Sequence, residues 1–298
     1  MRVNPLYLNN LVGQLDATTA SEQQLTQELA SGSRVNALSD DPVAVGENVM
    51  LSSQIDQDDT FSESASSTQS MLQVTDSALS TVTNQLTTAV SLATEANGGT
   101  LNASDLESIG NQLVGIRDEV LSLANTTYLG QYLFSGSMGN TTPYTLDTAT
   151  SPATAAYQGD STVQYLETPN GQKIQMNLPG NQVFSAAGSD VLGTLNALIA
   201  DFSSGTVSST AQADAQALST ALGHVTNQRV LIDNSLSRLQ AAETYNQSEE
   251  TQLTASQTTL LQADVGQVAT QLSTAETQQA ALSQVIATLG KQSLFNDL

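Results

Sequence analysis

The chain has 298 residues, with 29 acidic against 7 basic side chains and a formal net charge of −22. The basic residues (Arg2, Arg34, Arg117, Lys173, Arg229, Arg238, Lys291) form no cluster, so nucleic acid and anionic membrane surfaces are excluded as expected partners. Cysteine is absent, which excludes disulfides and zinc–thiolate sites, and the polar surface is mostly Ser, Thr, Gln and Asn, since only 12% of residues are charged.

The start, MRVNPLYLNNLVGQLD, contains no apolar stretch of secretory-signal length, and no run of about 18 apolar residues that would span a bilayer occurs. Export, if it happens, is expected to need no cleaved signal. Positions 8, 11, 15, 18, 22, 25 and 29 alternate steps of three and four and carry Leu8, Leu11, Leu15, Thr18, Glu22, Leu25 and Leu29. That spacing predicts a helix with one apolar seam. The helix is expected to end at Ser31-Gly32. The next begins in "SDDP", with Asp41 as N-cap and Pro42 in the first turn, where its missing N–H costs nothing. Asp40, Asp41 and Pro42 are therefore read as an inter-domain turn and helix cap rather than metal ligands. "DQDD", Asp56–Asp59, lacks calcium-loop spacing and reads as a solvated helix face.

A second seam follows at Leu72, Thr75, Leu79, Val82, Leu86, Ala89 and Ala93, stopped by Gly98-Gly99. "SDLE", Ser104–Glu107, has the form of a capping box with Ser104 as cap. The seam after it is the cleanest: Leu106, Ile109, Leu113, Ile116, Val120 and Leu123. The middle of the chain then changes character. Pro143, Pro152, Pro169 and Pro179 fall there, as do eight of the twelve Tyr and Phe residues, between Tyr128 and Phe202. Proline is poorly tolerated inside helices, so strands and turns are expected. Thr162–Glu167 and Lys173–Leu178 read as a hairpin about Asn170-Gly171. A short helix follows, with Val191, Leu195, Leu198 and Phe202 on one face.

The last third is proline-free. Leu218, Leu222, Val225, Ile232, Leu236 and Leu239 form one stripe, weakened by polar residues from Gln240 to Gln252. A second runs Leu261, Val265, Val268, Leu272, Ala275, Gln279, Leu282, Ile286 and Leu289, a coiled-coil spacing. His224, the one histidine, sits between Leu222 and Val225 and reads as structural.

These elements predict a mainly α fold: an elongated helical bundle with paired N- and C-terminal coiled-coil helices and a small inserted β-rich domain. The expected division is a terminal coiled-coil domain (1–38 and 258–298), a helical bundle domain (39–136 and 206–257) and an inserted outer domain (137–205). One amphipathic helix cannot bury its own seam, so the terminal arms are expected to pair antiparallel. Leu6, Tyr7, Val12 and Phe295 then lie off the paired stripes, to be covered either by further copies of the chain or by the rest of an intramolecular bundle.

Four segments carry a resemblance. They are Ser31, Gly32, Arg34, Val35, Asn36, Asp40, Asp41 and Pro42 in S-G-x-R-V-N…D-D-P; Asn125, Gly130, Tyr132, Leu133, Phe134, Ser135 and Gly136 in N…G-x-Y-L-F-S-G; Tyr157, Gly159 and Asp160 in Y-x-G-D; and Ser293, Leu294, Phe295 and Leu298 at the end. With the helical arms, they resemble the flagellin superfamily, and in particular its hook–filament junction branch. Ser33 stands where a Lys is common. The resemblance implies an extracellular structural adaptor of the bacterial flagellum, not an enzyme, with no cofactor and no catalytic or metal-ligating residues. It implies a ring of copies joining the first hook-associated protein (FlgK type) on the hook side to flagellin on the filament side. It further implies export unfolded through the flagellar type III channel, with an export chaperone on the C-terminal helix. The residues expected to carry assembly are Leu8, Leu11, Leu15, Leu25, Leu29, Leu261, Val265, Val268, Leu272, Leu282, Ile286, Leu289 and Phe295. A small flagellin forming the filament itself, or an acidic secreted surface adhesin, are the alternatives.

Overall fold

A computed structural model of the chain describes residues 5–294. Proline-free runs fold as long helices and the proline-bearing middle as short ribbons. In chain order these are α1 (Pro5–Ser31), α2 (Pro42–Ala96), α3 (Ala103–Ala124), the strand pairs β1 (Thr127–Tyr128) with β2 (Gln131–Tyr132), β3 (Tyr144–Asp147) with β4 (Thr154–Tyr157) and β5 (Tyr165–Glu167) with β6 (Lys173–Gln175), the single turn α4 (Gly180–Val183), β7 (Ser185–Ala186) with β8 (Ser189–Asp190), α5 (Val191–Phe202), α6 (Ala211–Leu261) and α7 (Val265–Leu294). Each strand pair is an antiparallel ribbon of two strands. The chain divides into two compact units, residues 58–247 and residues 1–57 with 248–298.

The larger unit holds the main core. The expected face of α2, from Leu72 through Ala93, is buried against Leu106, Ile109, Leu113, Ile116 and Val120 of α3 and Leu218, Val225 and Ile232 of α6. α5 packs on α3 with Val191, Leu195, Leu198 and Phe202 buried. α2 stops where Gly99 turns the chain at φ 72°. α3 starts earlier than expected: its cap is Asn102, whose Oδ1 accepts from Asp105 N at 3.0 Å while Asp105 Oδ2 accepts from Asn102 N at 3.3 Å. The box is therefore N-A-S-D, two residues ahead of S-D-L-E, because an Asn cap competes as well as a Ser.

The β5–β6 hairpin is shorter than the sequence suggests. Asn177 ends it: its Oδ1 accepts from Gln164 N at 2.7 Å and its Nδ2 donates to Thr162 O at 3.1 Å, replacing the ladder with side-chain bonds. Gly171 takes φ 81° and Asn170 does not share a positive φ, so the turn is the longer kind closed by Gly171 N to Thr168 O at 2.8 Å. Ile174 of this hairpin packs into a small satellite cluster with Phe61, Ala65 and Leu239. The D-Q-D-D stretch is not wholly solvated. Asp58 turns inward at 3% exposure, and its carbonyl accepts from the buried Asn246 Nδ2 at 2.8 Å. His224 Nε2 lies 2.7 Å from Gln182 O, tying α4 to α6.

The smaller unit is built on α1 packed against α7. The pair is antiparallel. Ala263 N donates to Gly32 O at 3.0 Å at one end, and Gln279 Nε2 donates to Thr19 Oγ1 at 3.2 Å further along. Leu8, Leu11, Leu15, Thr18, Glu22 and Leu25 are buried or half-buried as their spacing predicts. Leu29 is not: it is 38% exposed, and Glu28 has come round in its place, accepting from Gln24 Nε2. A straight helix advances 3.6 residues per turn, so a strict 3–4 alternation drifts off the seam. On α7, Val268, Leu272, Ala275, Gln279, Leu282, Ile286 and Leu289 are buried or half-buried, whereas Val265 is 54% exposed. The expected continuous stripe from Leu261 is interrupted because Leu261 closes α6 and a break at Gln262–Asp264 resets the register before α7. Phe295 and Leu298 lie outside the described residues.

Candidate assembly surfaces

The joint between helices is made by two short segments of the smaller unit. Gly32 takes φ 69°, which turns the chain out of α1. Ser33 then pairs with Gln262 as an isolated antiparallel bridge, flanked by Arg34 N to Leu261 O at 2.7 Å. The Ser33 hydroxyl lies 2.9 Å from Val35 O and 3.2 Å from Leu261 O, and Arg34 Nη2 donates to Leu260 O at 3.3 Å. The acids on this turn accept backbone bonds. Asp40 Oδ2 accepts from Ala37 N at 2.8 Å and Asn36 N at 3.0 Å, and these donors, Ala37 first, hold its carboxyl below its ordinary value. Asp41 Oδ1 accepts from Ala44 N at 3.0 Å and Val43 N at 3.2 Å, with Arg34 Nη1 on its other oxygen at 3.0 Å. The Ala44 N–H and then Arg34 lower its pKa. Sequence reading missed the C-terminal half of this clip. Its signal was Asp264, three residues before Gln267, whose N–H it caps at 3.0 Å.

The smaller unit leaves much apolar surface outside. Among its described residues, Leu11, Ala44, Ala263, Val268 and Ala275 are the hydrophobic side chains that are buried. Leu6, Tyr7, Val12 and Val285 are exposed along α1 and α7, and Leu38, Val43, Val49 and Met50 around the turn and the start of α2. An open groove of about 610 Å³ runs between α1 and α7, lined by Tyr7, Leu11, Ala17, Leu282 and Val285 among others. A second, of about 810 Å³, lies between the start of α2 and the end of α6, with Arg34, Met50, Leu51, Ala255 and Leu260 on its walls. Apolar surface on this scale marks a contact face rather than a solvated one.

The motif residues of the larger unit meet in one node. β1 and β2 join through Leu129 (φ 49°) and Gly130 (φ 81°), a two-residue turn with both central residues left-handed. Leu129 was not singled out from sequence, and it is 84% exposed. Asn125, at the end of α3, uses both side-chain atoms like a strand partner: Nδ2 donates to Tyr144 O at 3.0 Å and Oδ1 accepts from Tyr144 N at 2.9 Å. Leu133, Phe134 and Ser135 are buried, and Phe134 packs edge-on to Phe184 with centroids 5.2 Å apart. Tyr157 OH reaches Phe134 O at 2.9 Å and Asp160 O at 2.7 Å; burial pushes its phenol up to about 12. Burial likewise pushes the Tyr144 phenol above its ordinary value. Asp160 accepts from the Ser137 hydroxyl, from Ser137 N at 2.8 Å and from Thr162 N at 3.1 Å, and these bonds, the hydroxyl foremost, hold it at about 2. Tyr132 accepts from Thr142 Oγ1 at 3.1 Å. The node is a lock of backbone and hydroxyl bonds.

Among the described residues no three His, Cys, Asp or Glu side chains group as a metal site would need, and no helix is long and apolar enough to cross a membrane.

Residues 6–139 match the model of the bacterial flagellin N-terminal helical region. The chain is 28% identical over 188 residues to flagellar hook-associated protein 3 of Salmonella typhimurium, covering 63% of this chain and 57% of that protein. It is 31% identical over 140 residues to flagellar hook-associated protein 3 of Escherichia coli, covering 47% of this chain and 44% of that one. The chain thus spans about half the length of these curated relatives. Its fold is similar to a solved structure of a flagellar hook-associated protein from Vibrio parahaemolyticus, with a TM-score of 0.65 at 20% identity, covering 74% of this chain and 99% of that one.

Proposed function

We propose, from its similarity to the flagellin N-terminal helical region and to flagellar hook-associated protein 3, that this chain is a structural adaptor of the flagellin superfamily at the junction of hook and filament in the bacterial flagellum. In this reading copies of the chain form a ring outside the cell, with a FlgK-type hook-associated protein on one side and flagellin on the other. The chain travels unfolded through the flagellar type III channel, and an export chaperone covers α7 beforehand. Neither nucleic acid nor membrane is a partner.

The observation that carries the reading is the composition of the smaller unit: a helix pair with little buried core and an apolar groove along its length. Such a pair gains most of its stability from what it packs against. Leu8, Leu11, Leu15, Leu25, Leu272, Leu282, Ile286 and Leu289 hold α1 to α7 in this proposal, while Leu29 and Val265, left outside the pair, face neighbours. The turn at Asp40, Asp41 and Pro42 sets the boundary between a terminal domain (1–38 and 258–298) and a bundle domain (39–136 and 206–257), and the ribbons of 137–205 form the outer domain.

Immunogold electron microscopy of intact cells tests this. Label in a narrow band where hook meets filament is expected. Label along the filament would favour a small flagellin, the reading that the match to a flagellin N-terminal region also supports. Leu282→Asp is expected to leave synthesis intact and abolish filament attachment; normal filaments on cells carrying only that variant would overturn the role given to the helix pair.

A further inference from the structure

The break between α6 and α7 is held from outside the two helices. Gln262 N still donates to Thr258 O at 2.8 Å, and Val268 N donates to Asp264 O at 2.8 Å, so the helical ladder runs up to the break and resumes directly after it. Between these points, the backbone groups that would carry the ladder through are taken by the turn that follows α1. Leu261 O accepts from Arg34 N at 2.7 Å and lies 3.2 Å from the Ser33 hydroxyl. Leu260 O accepts from Arg34 Nη2 at 3.3 Å, and Ala263 N donates to Gly32 O at 3.0 Å. Residues 32–34 thus stand in for the partners a continuous helix would supply, which are Thr259 O for Ala263 N, Asp264 N for Leu260 O and Val265 N for Leu261 O.

Gln262–Asp264 contains neither Gly nor Pro, and Gln and Ala are strong helix formers. Two local features favour the break: Asp264 caps Gln267 N at 3.0 Å, and Gly266 weakens a helix interior. Against them stands a seam that ignores the break. Leu261, Val265, Val268, Leu272 and Ala275 keep alternating steps of four and three straight through it, the spacing of one uninterrupted helix. The jointed form does not use that seam whole, since Val265 is left 54% exposed. Closing the ladder needs no new nucleus, because a helix already stands on either side.

We propose that Gln262–Asp264 is a conditional joint whose setting is decided by the turn after α1. While residues 32–34 are seated, α6 and α7 are two helices. When that turn leaves, Leu260 O, Leu261 O and Ala263 N lose their partners and find new ones in the helix, and α6 continues unbroken into α7. The C-terminal arm therefore has two forms, and docking of α1 selects between them. The joint does not depend on the assembly role.

NMR on the full chain tests this, read at the Cα chemical shifts of residues 262–264 and at amide exchange of Ala263. In wild type, Ala263 and Asp264 are expected to lie outside the helical range. Arg34→Pro removes both the N–H on Leu261 O and the guanidinium on Leu260 O. In that variant the shifts are expected to move to those of the flanking helices, with the Ala263 amide exchanging no faster than in wild type. Asp264→Ala combined with Gly266→Ala leaves residues 32–34 alone and strengthens only the continuous helix. It is expected to move Gln262 and Ala263 in the same direction, and it decides alone if Arg34→Pro does not fold. Non-helical shifts with a faster-exchanging Ala263 amide in Arg34→Pro would mean that the released link frays, and would overturn the proposal. Shifts that stay at wild-type values in both variants overturn it too, as does a wild type already helical through 262–264.

Discussion

At Gly136 the backbone leaves no room for a side chain. A Cβ there would fall 2.0 Å from Asp160 Oδ1 and 2.3 Å from Asp160 O, and the residue takes φ 75°. Gly136→Ala must therefore break the bonds that Asp160 makes to Ser137 as well as strain its own backbone. We expect a loss of about 2 kcal/mol or more in denaturant unfolding. Asp160 itself makes the node sensitive to acid. Its folded pKa of about 2 lies below the ordinary 3.8, so the native state binds this proton less readily than the unfolded chain does. Its contribution is complete above roughly pH 4 and disappears as pH falls through 2. Urea midpoints measured between pH 5 and 2 are expected to fall less steeply in Asp160→Asn than in wild type. Y-x-G-D and F-S-G could be quoted as motifs from sequence. That Gly136 is a glycine because of Asp160, 24 residues later, could not, since nothing local in either stretch announces the contact.

Among the elements, the helix seams were the most legible feature. Burial at every third or fourth residue leaves a period that the order of residues alone records, as in Leu72 through Ala93 and Leu106 through Val120. Ends and breaks were less so, because several short polar residues near a boundary can cap equally well. The start of α3 shows this: Ser104 looked suitable, yet Asn102 makes the bonds. Asn102→Ala is expected to cost about 1 kcal/mol in thermal or urea melts and Ser104→Ala much less; the reverse order would return the cap to Ser104. The gap between α6 and α7 was hidden for a similar reason. Gln262–Asp264 contains neither Gly nor Pro, and its break is held by Gly32 and Arg34, more than two hundred residues away. The open grooves of the smaller unit had a partial signal in Tyr7 and Val12, off the seam, but the groove along α2 and α6 requires both helices to be placed.

For the molecule as a whole, the contrast between units governs stability. Nearly all large buried side chains belong to residues 58–247, and the smaller unit keeps apolar residues outside. Local opening is cheapest where few apolar contacts are lost. Limited digestion of the isolated chain with a protease of broad specificity is therefore expected to remove α1 and α7 first, leaving a resistant core within 58–247, identified by mass spectrometry. Uniform cleavage across both units would contradict this. The clip of Ser33 with Gln262 has a further consequence, in time rather than in space. Its two segments are separated by more than two hundred residues, so on a ribosome α1 emerges long before α7. Every intervening helix can find its neighbour while α1 waits with Leu8, Leu11 and Leu15 uncovered. A chain halted anywhere before α7 would carry that exposed face for as long as it persists.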